Sequence, residues 1–231
     1  MKNKIKHIFF DLDRTLWDFD KNSKEVISDL FIAFEIDKKC EIPFELFYKT
    51  YQTVNDELWT LYRLNKISKE YLRSSRFTKT MELFGYNDSD LGMKMELDYI
   101  SHSPLKKKLL PGTVELLTQL KENYYLHIIT NGFKEVQRIK ITNSGIAHFF
   151  THVLISEEVG ANKPDKAIFL HALKVSGALG EESIMVGDDL EIDIKGAEAV
   201  GMTGIYFNEN GKSEISHKNE ISKLDDLLKF L

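Results

Sequence analysis

The apolar run Ile8, Phe9, Phe10 stops abruptly on Asp11, and this boundary constrains the fold more than any other feature of the chain. A short, continuous apolar run is the pattern of a strand buried on both faces. A carboxylate at the end of such a strand is costly to place without a compensating cation. With a strand repeat of two residues, Asp11 and Asp13 project from the same side if the extended geometry persists that far. Two converging carboxylates call for a positive charge. Oxygen ligands on a hard cation suit Mg²⁺, which takes one or two carboxylates together with phosphate oxygens and waters.

Beyond Trp17 the periodicity changes from strand to helix for about eighty residues. Val26, Ile27, Leu30, Phe31 and Phe34 recur at helical spacing, with Asn22 or Ser23 as the expected N-cap. A second helix is expected from Pro43, with Phe44, Phe47, Tyr51, Val54, Leu58, Leu61 and Tyr62 along one face. Ser68 is placed to cap a third helix, and Asp88 or Ser89 a fourth. Four amphipathic helices with short links form a bundle that can stand apart from a sheet, so a helical insert is expected over residues 19–102.

From Pro104 onward strands and helices alternate, the signature of a parallel sheet covered by helices. Tyr125–Thr130, His152–Ser156, Ser183–Gly187 and Thr203–Phe207 read as strands. Helices are expected through Leu120, over Phe133–Asn143, over Asp165–Val175, through Val200, and at the end with Leu224, Leu227, Leu228 and Leu231. The expected fold class is therefore α/β, with residues 1–18 and 103–231 forming the core around the insert. Right-handed crossovers bring the C-terminal ends of the strands to one edge of the sheet, where open α/β sheets bind ligands.

Four of those ends carry chemistry: Asp11 and Asp13; Thr130, Asn131 and Gly132; Lys163; and Asp188, Asp189 and Asp193. Thr130 and Asn131 precede a helix, where backbone N–H groups and a hydroxyl can face an anion. Lys163 supplies a point charge for the same anion, and Asp188 adds an oxygen ligand for the metal. The set makes sense together if a phosphoryl group sits among these residues with Mg²⁺.

The stretches D-L-D-R-T at Asp11–Thr15, Thr130, Lys163 and G-D-D-x-x-x-D from Gly187 to Asp193 resemble, in order, the four motifs of the haloacid dehalogenase-like hydrolase superfamily. The resemblance implies a Rossmann-like core, and an insert directly after the first motif looks like the C1 cap of that superfamily. It also implies a phosphoric monoester hydrolase in which Asp11 is the nucleophile and Asp13 the general acid, then the base. Thr130, Asn131 and Lys163 would hold the phosphoryl oxygens. Mg²⁺ would be held by Asp11, the backbone carbonyl of Asp13, and Asp188. A serine usually follows the first aspartate of the fourth motif, and here Asp189 stands there. Asp189 is open to contact the metal or its waters, and Asp193 to orient Lys163.

Asp13 argues against dehalogenation, because displacing a halide needs no proton donor. Asp11–Ser23, Leu58–Ser68 and Arg76-Phe77 look more like the house-cleaning pyrimidine 5'-nucleotidases of the superfamily. That likeness implies hydrolysis of nucleoside 5'-monophosphates, with Trp17, Phe19, Trp59 and Arg63 as candidate substrate contacts. A phosphatase for a small sugar phosphate or phosphoglycolate is the alternative, and a non-catalytic binding protein on the same fold is a third reading.

Charge narrows the partners. A net charge of −5 argues against a nucleic-acid partner and for a small ligand, which the resemblance implies is a small phosphorylated metabolite. Cys40 is the lone cysteine, which excludes an intrachain disulfide and fits a reducing, cytoplasmic location. The basic stretch Met1 to Lys6 is followed by an apolar run broken at Asp11, too soon for a signal peptide, and no membrane-spanning length of apolar residues is found. His148 and His152 are read as structural, and the sequence leaves open a monomer or a homodimer.

Overall fold

The computed structural model describes residues 5–211 and 216–231; of the basic N-terminal stretch, Met1 to Lys4 lie outside them. The chain divides into two compact units: Asp20–Lys106 forms one, and the segments on either side of it form the other. Strand β1 (His7–Phe10) opens the second of these.

The helical unit contains most of α1 (Phe19–Ala33), then α2 (Ile36–Cys40), α3 (Phe44–Arg63), α4 (Lys69–Glu82) and α5 (Ser89–His102). Its core is built from Ile27, Phe31, Phe47, Tyr51, Phe77, Met81 and Met95. Two of the expected caps form: Ser68 accepts from the Tyr71 N–H and Asp88 from the Leu91 N–H. The N-cap expected at Asn22 or Ser23 does not, because α1 starts at Phe19 and carries both residues inside it, buried. Ser23 Oγ instead shares a hydrogen bond with the Tyr99 hydroxyl at 2.9 Å. Helix α2 has five residues between Glu35 and Glu41, both left-handed, and is too short to show a period. At the centre of the unit the buried Arg76 makes a two-pronged ion pair with the buried Glu96 at 2.7 and 2.8 Å, and its guanidinium lies over the Tyr99 ring.

The other unit is a six-stranded parallel sheet. After β1 come α6 (Thr113–Lys121), β2 (Tyr125–Thr130), α7 (Lys134–Asn143), β3 (His152–Ile155), α8 (Ser156–Val159), α9 (Lys166–Ser176) and β4 (Ser183–Gly187). A π-helical turn over Leu190–Lys195 runs into α10 (Gly196–Glu198), then β5 (Thr203–Phe207) and β6 (Glu220–Ile221). The strand order is β3-β2-β1-β4-β5-β6. Ile8, Phe10, Ile128, Val186 and Ile205 line one apolar layer, and Phe9, Ile129, Met185 and Phe169 the other. That two-sided burial is why these strands read as continuous apolar runs.

Phe10, the last residue of β1, lies level with Ile128 of β2 and Val186 of β4, and β2 runs on to Thr130 and β4 to Gly187. The chain leaves β1 in one direction towards β2 and β3 and returns on the other side as β4, which makes the β1/β4 junction the switch point of the sheet. Two expectations at the far end change. The last helix is a 3₁₀ helix, Leu224–Phe230, whose three-residue period buries Leu224 and Leu227 and leaves Leu228 and Leu231 exposed. The helix expected through Val200 begins as a π turn. No helix among the described residues is long and apolar enough to cross a membrane.

Candidate active site

Asp11 follows β1 directly and is buried, its backbone N–H donating to the Val186 carbonyl across the switch point. Lys163 arrives from the loop between α8 and α9 and is only 2 % exposed. Its ammonium donates to Asp11 Oδ1 at 2.6 Å and to the Ile129 carbonyl at 2.9 Å, and lies 2.6 Å from Asp193 Oδ1. Burial works against that charge, but Asp11 and Asp193 outweigh it and hold the ammonium above the usual lysine range. Asn131 explains how a lysine on a loop is held so firmly. Its side-chain amide donates to the Lys163 carbonyl and accepts from the Lys163 N–H, at 2.9 and 2.8 Å. The Asn131 side chain is thus committed to Lys163, and what it can offer an anion is its backbone N–H.

Asp11, Asp188 and Asp193 each present a carboxylate oxygen within 4.8 Å of the others. Burial first, and then neighbouring carboxylates, push Asp11 up to about 7 and Asp188 well above the ordinary range. Asp193 is raised by burial too, against the pull of Lys163. An all-oxygen set of three carboxylates, Asp11 and Asp193 buried and Asp188 half-buried, whose proton affinity is raised by burial and then by one another, fits a hard divalent cation. Thr15 bridges the set, its hydroxyl 3.3 Å from Asp11 Oδ2 and 3.5 Å from Asp188 Oδ1. Asp193 fits only because residue 187 is a glycine: a Cβ there would stand 2.2 Å from Asp193 Oδ2. Asp189 lies outside this cluster. Its Oδ1 caps the π turn, accepting from the N–H groups of Glu191 and Ile192 at 3.0 Å each.

Asp13 does not converge on the same volume as Asp11. The strand ends at Phe10, and the Asp13 carboxylate joins a second constellation. Oδ1 accepts from Lys140 Nζ at 2.7 Å, and Oδ2 from Gln137 Nε2 at 2.9 Å. Gln137 also reaches Thr130 Oγ1 at 2.6 Å. Sequence reasoning missed Thr15, Gln137 and Lys140. A signal was present in α7, where Gln137 and Lys140 are buried beside Ile141 while Ile139 is exposed, the reverse of an ordinary amphipathic pattern.

Residues 5–201 match the haloacid dehalogenase-like hydrolases. The chain belongs to that family. Among its relatives, YfnB of Bacillus subtilis (strain 168) is 28% identical over 236 residues, covering 99% of this chain and 96% of its own. The crystal structure of Bacillus subtilis YfnB bound to magnesium superposes with a TM-score of 0.88 at 26% identity, covering 98% of each chain. Pyrimidine 5'-nucleotidase YjjG of Escherichia coli (strain K12) is 31% identical, covering 97% of this chain and 96% of its own. A glyceraldehyde 3-phosphate phosphatase of Methanothermobacter thermautotrophicus is 33% identical, covering 96% of each. The Rossmann-type α/β fold and the expected enzyme class, a phosphoric monoester hydrolase, agree with membership among these hydrolases.

The four candidate substrate contacts fare differently in this family member. Trp17 is fully buried in the sheet core with Leu12, Leu16 and Leu116, so its ring cannot meet a substrate. It serves instead as the platform under Lys140, whose ammonium lies 4.2 Å from the ring centroid. Phe19 is half-buried against the same core, with the Arg14 guanidinium 4.7 Å from its ring centroid. Trp59 and Arg63 lie in the last turns of α3, half-buried; Trp59 meets Tyr62 edge-on and Arg63 donates to the Thr60 hydroxyl at 3.1 Å.

Proposed function

We propose that this hydrolase removes the phosphoryl group from nucleoside 5'-monophosphates, pyrimidine ones and their modified forms, through a phosphoaspartate. The observation that carries the reading is the buried Asp11 carboxylate held at 2.6 Å by Lys163 and ringed by Asp188 and Asp193. Asp11 attacks phosphorus while the ester oxygen leaves, taking a proton from Asp13. Asp13 then removes a proton from water, which attacks phosphorus, frees phosphate and restores Asp11. Lys163, the Thr130 hydroxyl and the backbone N–H groups after β2 orient the phosphoryl oxygens. Asp11, Asp188 and the Asp13 carbonyl are the groups to hold Mg²⁺, which when bound neutralises charge on the transferred group. Asp193 is the residue that keeps Lys163 aligned.

The nucleotide assignment is supported by the likeness to YjjG over nearly the full chain. The helical unit, residues 19–102, would then act as the cap that recognises the nucleoside, with Trp59 and Arg63 as its candidates and Phe19 at its root. A second reading, a phosphatase for a small sugar phosphate, is favoured by the likeness to glyceraldehyde 3-phosphate phosphatase. In either case the partner is a small phosphorylated metabolite, and a lone buried cysteine suits a reducing cytoplasm.

Phosphate release from a panel of nucleoside monophosphates and sugar phosphates, with Mg²⁺ or EDTA, tests the proposal. Mg²⁺-dependent release favouring pyrimidine monophosphates, absent in Asp11→Asn, is the expected result. Preference for a sugar phosphate discards the nucleotide assignment, and release that survives Asp11→Asn discards the mechanism.

A further inference from the structure

Asp13 lies beyond the end of β1, its backbone bridged to Trp17, and both of its side-chain oxygens are held. Lys140 Nζ takes Oδ1 at 2.7 Å and Gln137 Nε2 takes Oδ2 at 2.9 Å. The two donors are three residues apart on α7 and so share one face of that helix. Both are buried, Gln137 at 0% exposure and Lys140 at 4%. Neither is free to follow a moving carboxylate. The Lys140 stem lies against the fully buried Trp17, with its ammonium 4.2 Å from the ring centroid. Gln137 occupies the space that a side chain at residue 132 would need, since a Cβ on Gly132 would stand 2.3 Å from the Gln137 amide. Gln137 also donates to Thr130 Oγ1 at 2.6 Å, and through that one amide the hydroxyl and the Asp13 carboxylate are tied to a common reference.

We propose that Gln137 and Lys140 are positioning residues for proton transfer, a two-point clamp that fixes the Asp13 carboxylate relative to Thr130. The inference rests on the reading of Asp13 as acid and base given above. A proton relay works only when the carboxyl reaches both the ester oxygen and, later, the attacking water within hydrogen-bond distance. A carboxylate released from the clamp turns about two side-chain bonds and spends most of its time misdirected. The loss falls mainly on catalysis, because Lys163 and the backbone N–H groups after β2 remain in place to hold the phosphoryl oxygens in either variant.

The test uses the full chain with Mg²⁺ and three variants: Gln137→Leu, Lys140→Met, which keeps an apolar stem over Trp17, and Lys140→Arg. Each is measured in single turnover on two monoesters, a nucleoside 5'-monophosphate, whose alkoxide must be protonated to leave, and p-nitrophenyl phosphate, whose phenolate leaves without a proton. The clamp predicts that Gln137→Leu and Lys140→Met slow phosphoryl transfer from the nucleotide about 10- to 100-fold with KM within about threefold, as expected when general-acid help is weakened. The burst of p-nitrophenolate should change by less than about threefold, and Lys140→Arg should regain most of the nucleotide rate. Equal losses on both esters, or a loss carried in KM, overturn the clamp. A crystal structure of the Gln137→Leu, Lys140→Met double variant reads the same point without turnover, so an enzyme silent on both esters would sink the nucleotidase reading and still test the clamp. An Asp13 carboxylate that has turned away supports it, and one unmoved overturns it.

Discussion

His127 sits on β2 between His7 of β1 and His152 of β3, its ring 5.4 Å from each of theirs and 4.5 Å from that of Phe9. His7 Nδ1 and His127 Nε2 share a hydrogen bond at 3.1 Å, which requires at least one ring nitrogen to be unprotonated. Burial, then the neighbouring His7 and His152, lower the His127 pKa to about 3. His7 is lowered too, by burial against the opposing pull of Glu182 and with a smaller push from Lys6 and His152. The unfolded chain therefore binds a proton at His127 near pH 6.5 that the folded chain refuses until about pH 3. Stability is lost as pH falls through that window, by about 1.4 kcal/mol for each pH unit well below 6.5. Between pH 7 and pH 5 the linkage comes to about 2 kcal/mol for His127 alone. The buried carboxylates near Lys163 titrate with the opposite sign, so only a difference against a variant isolates it. His127→Gln keeps a partner for His7 Nδ1 and removes the titration. Urea unfolding followed by Trp17 fluorescence, in a Trp59→Phe background, should show the wild type losing about 2 kcal/mol more than His127→Gln on going from pH 7 to pH 5. Parallel pH curves would mean that His127 is protonated in the fold, and the account of the stacked histidines would fail.

Lys163→Met removes the one cation at 2.6 Å from Asp11 and Asp193 and should abolish turnover. In EDTA it should also cost about 3 kcal/mol of stability at pH 8 and less at pH 6, where the orphaned carboxylates take up protons, as urea midpoints at the two pH values would show. In the helical unit, Glu96→Leu leaves Arg76 charged and buried with its two-pronged partner gone, and should lower stability by about 3–5 kcal/mol. The double variant Arg76→Met, Glu96→Leu should recover most of that in the same melts; a double variant as unstable as the single would show that the charges themselves hold the bundle together.

The parts of this molecule legible in its sequence are those where a local rule and the global fold agree. β1, β2 and β4 announce themselves as apolar runs because both faces of the sheet are covered, and Ser68, Asp88 and Asp165 mark helix starts by accepting the backbone N–H groups that a helix leaves over. Reading strand ends in order was enough to bring Asp11, Lys163, Asp188 and Asp193 together, since the strand order 3-2-1-4 makes these ends neighbours. The misreadings arise where tertiary contacts override a pattern. Trp17 is a candidate substrate contact in the sequence because it follows the motif, but residues 12–17 fold back on themselves, the Trp17 N–H donating to the Leu12 carbonyl, and the ring is buried. Gln137 and Lys140 went unnoticed in the sequence because their partner, Asp13, is more than a hundred positions away in the chain. β6 has two residues and α2 five, lengths at which no period can be read.

The two constellations around β1 divide a single problem between them. Next to Asp11 the carboxylates outnumber the cations: Asp11, Asp188 and Asp193 face the Lys163 ammonium, with the Arg14 guanidinium acting on Asp188 as well. Burial first, with Asp193 and Asp13 adding to it against the pull of Lys163, lifts Asp11 to about 7. A divalent ion held there would favour the unprotonated Asp11 that the proposed attack on phosphorus requires, so the carboxylates that would hold the metal would also ready the nucleophile. Around Asp13 one ammonium and one amide fix the direction of the carboxyl group. That half of the site needs no ion to set it up. The two aspartates stand two residues apart yet are turned into separate environments, one in the carboxylate cluster that would hold a metal and the other held by α7, an arrangement that suits the opposite duties proposed for them.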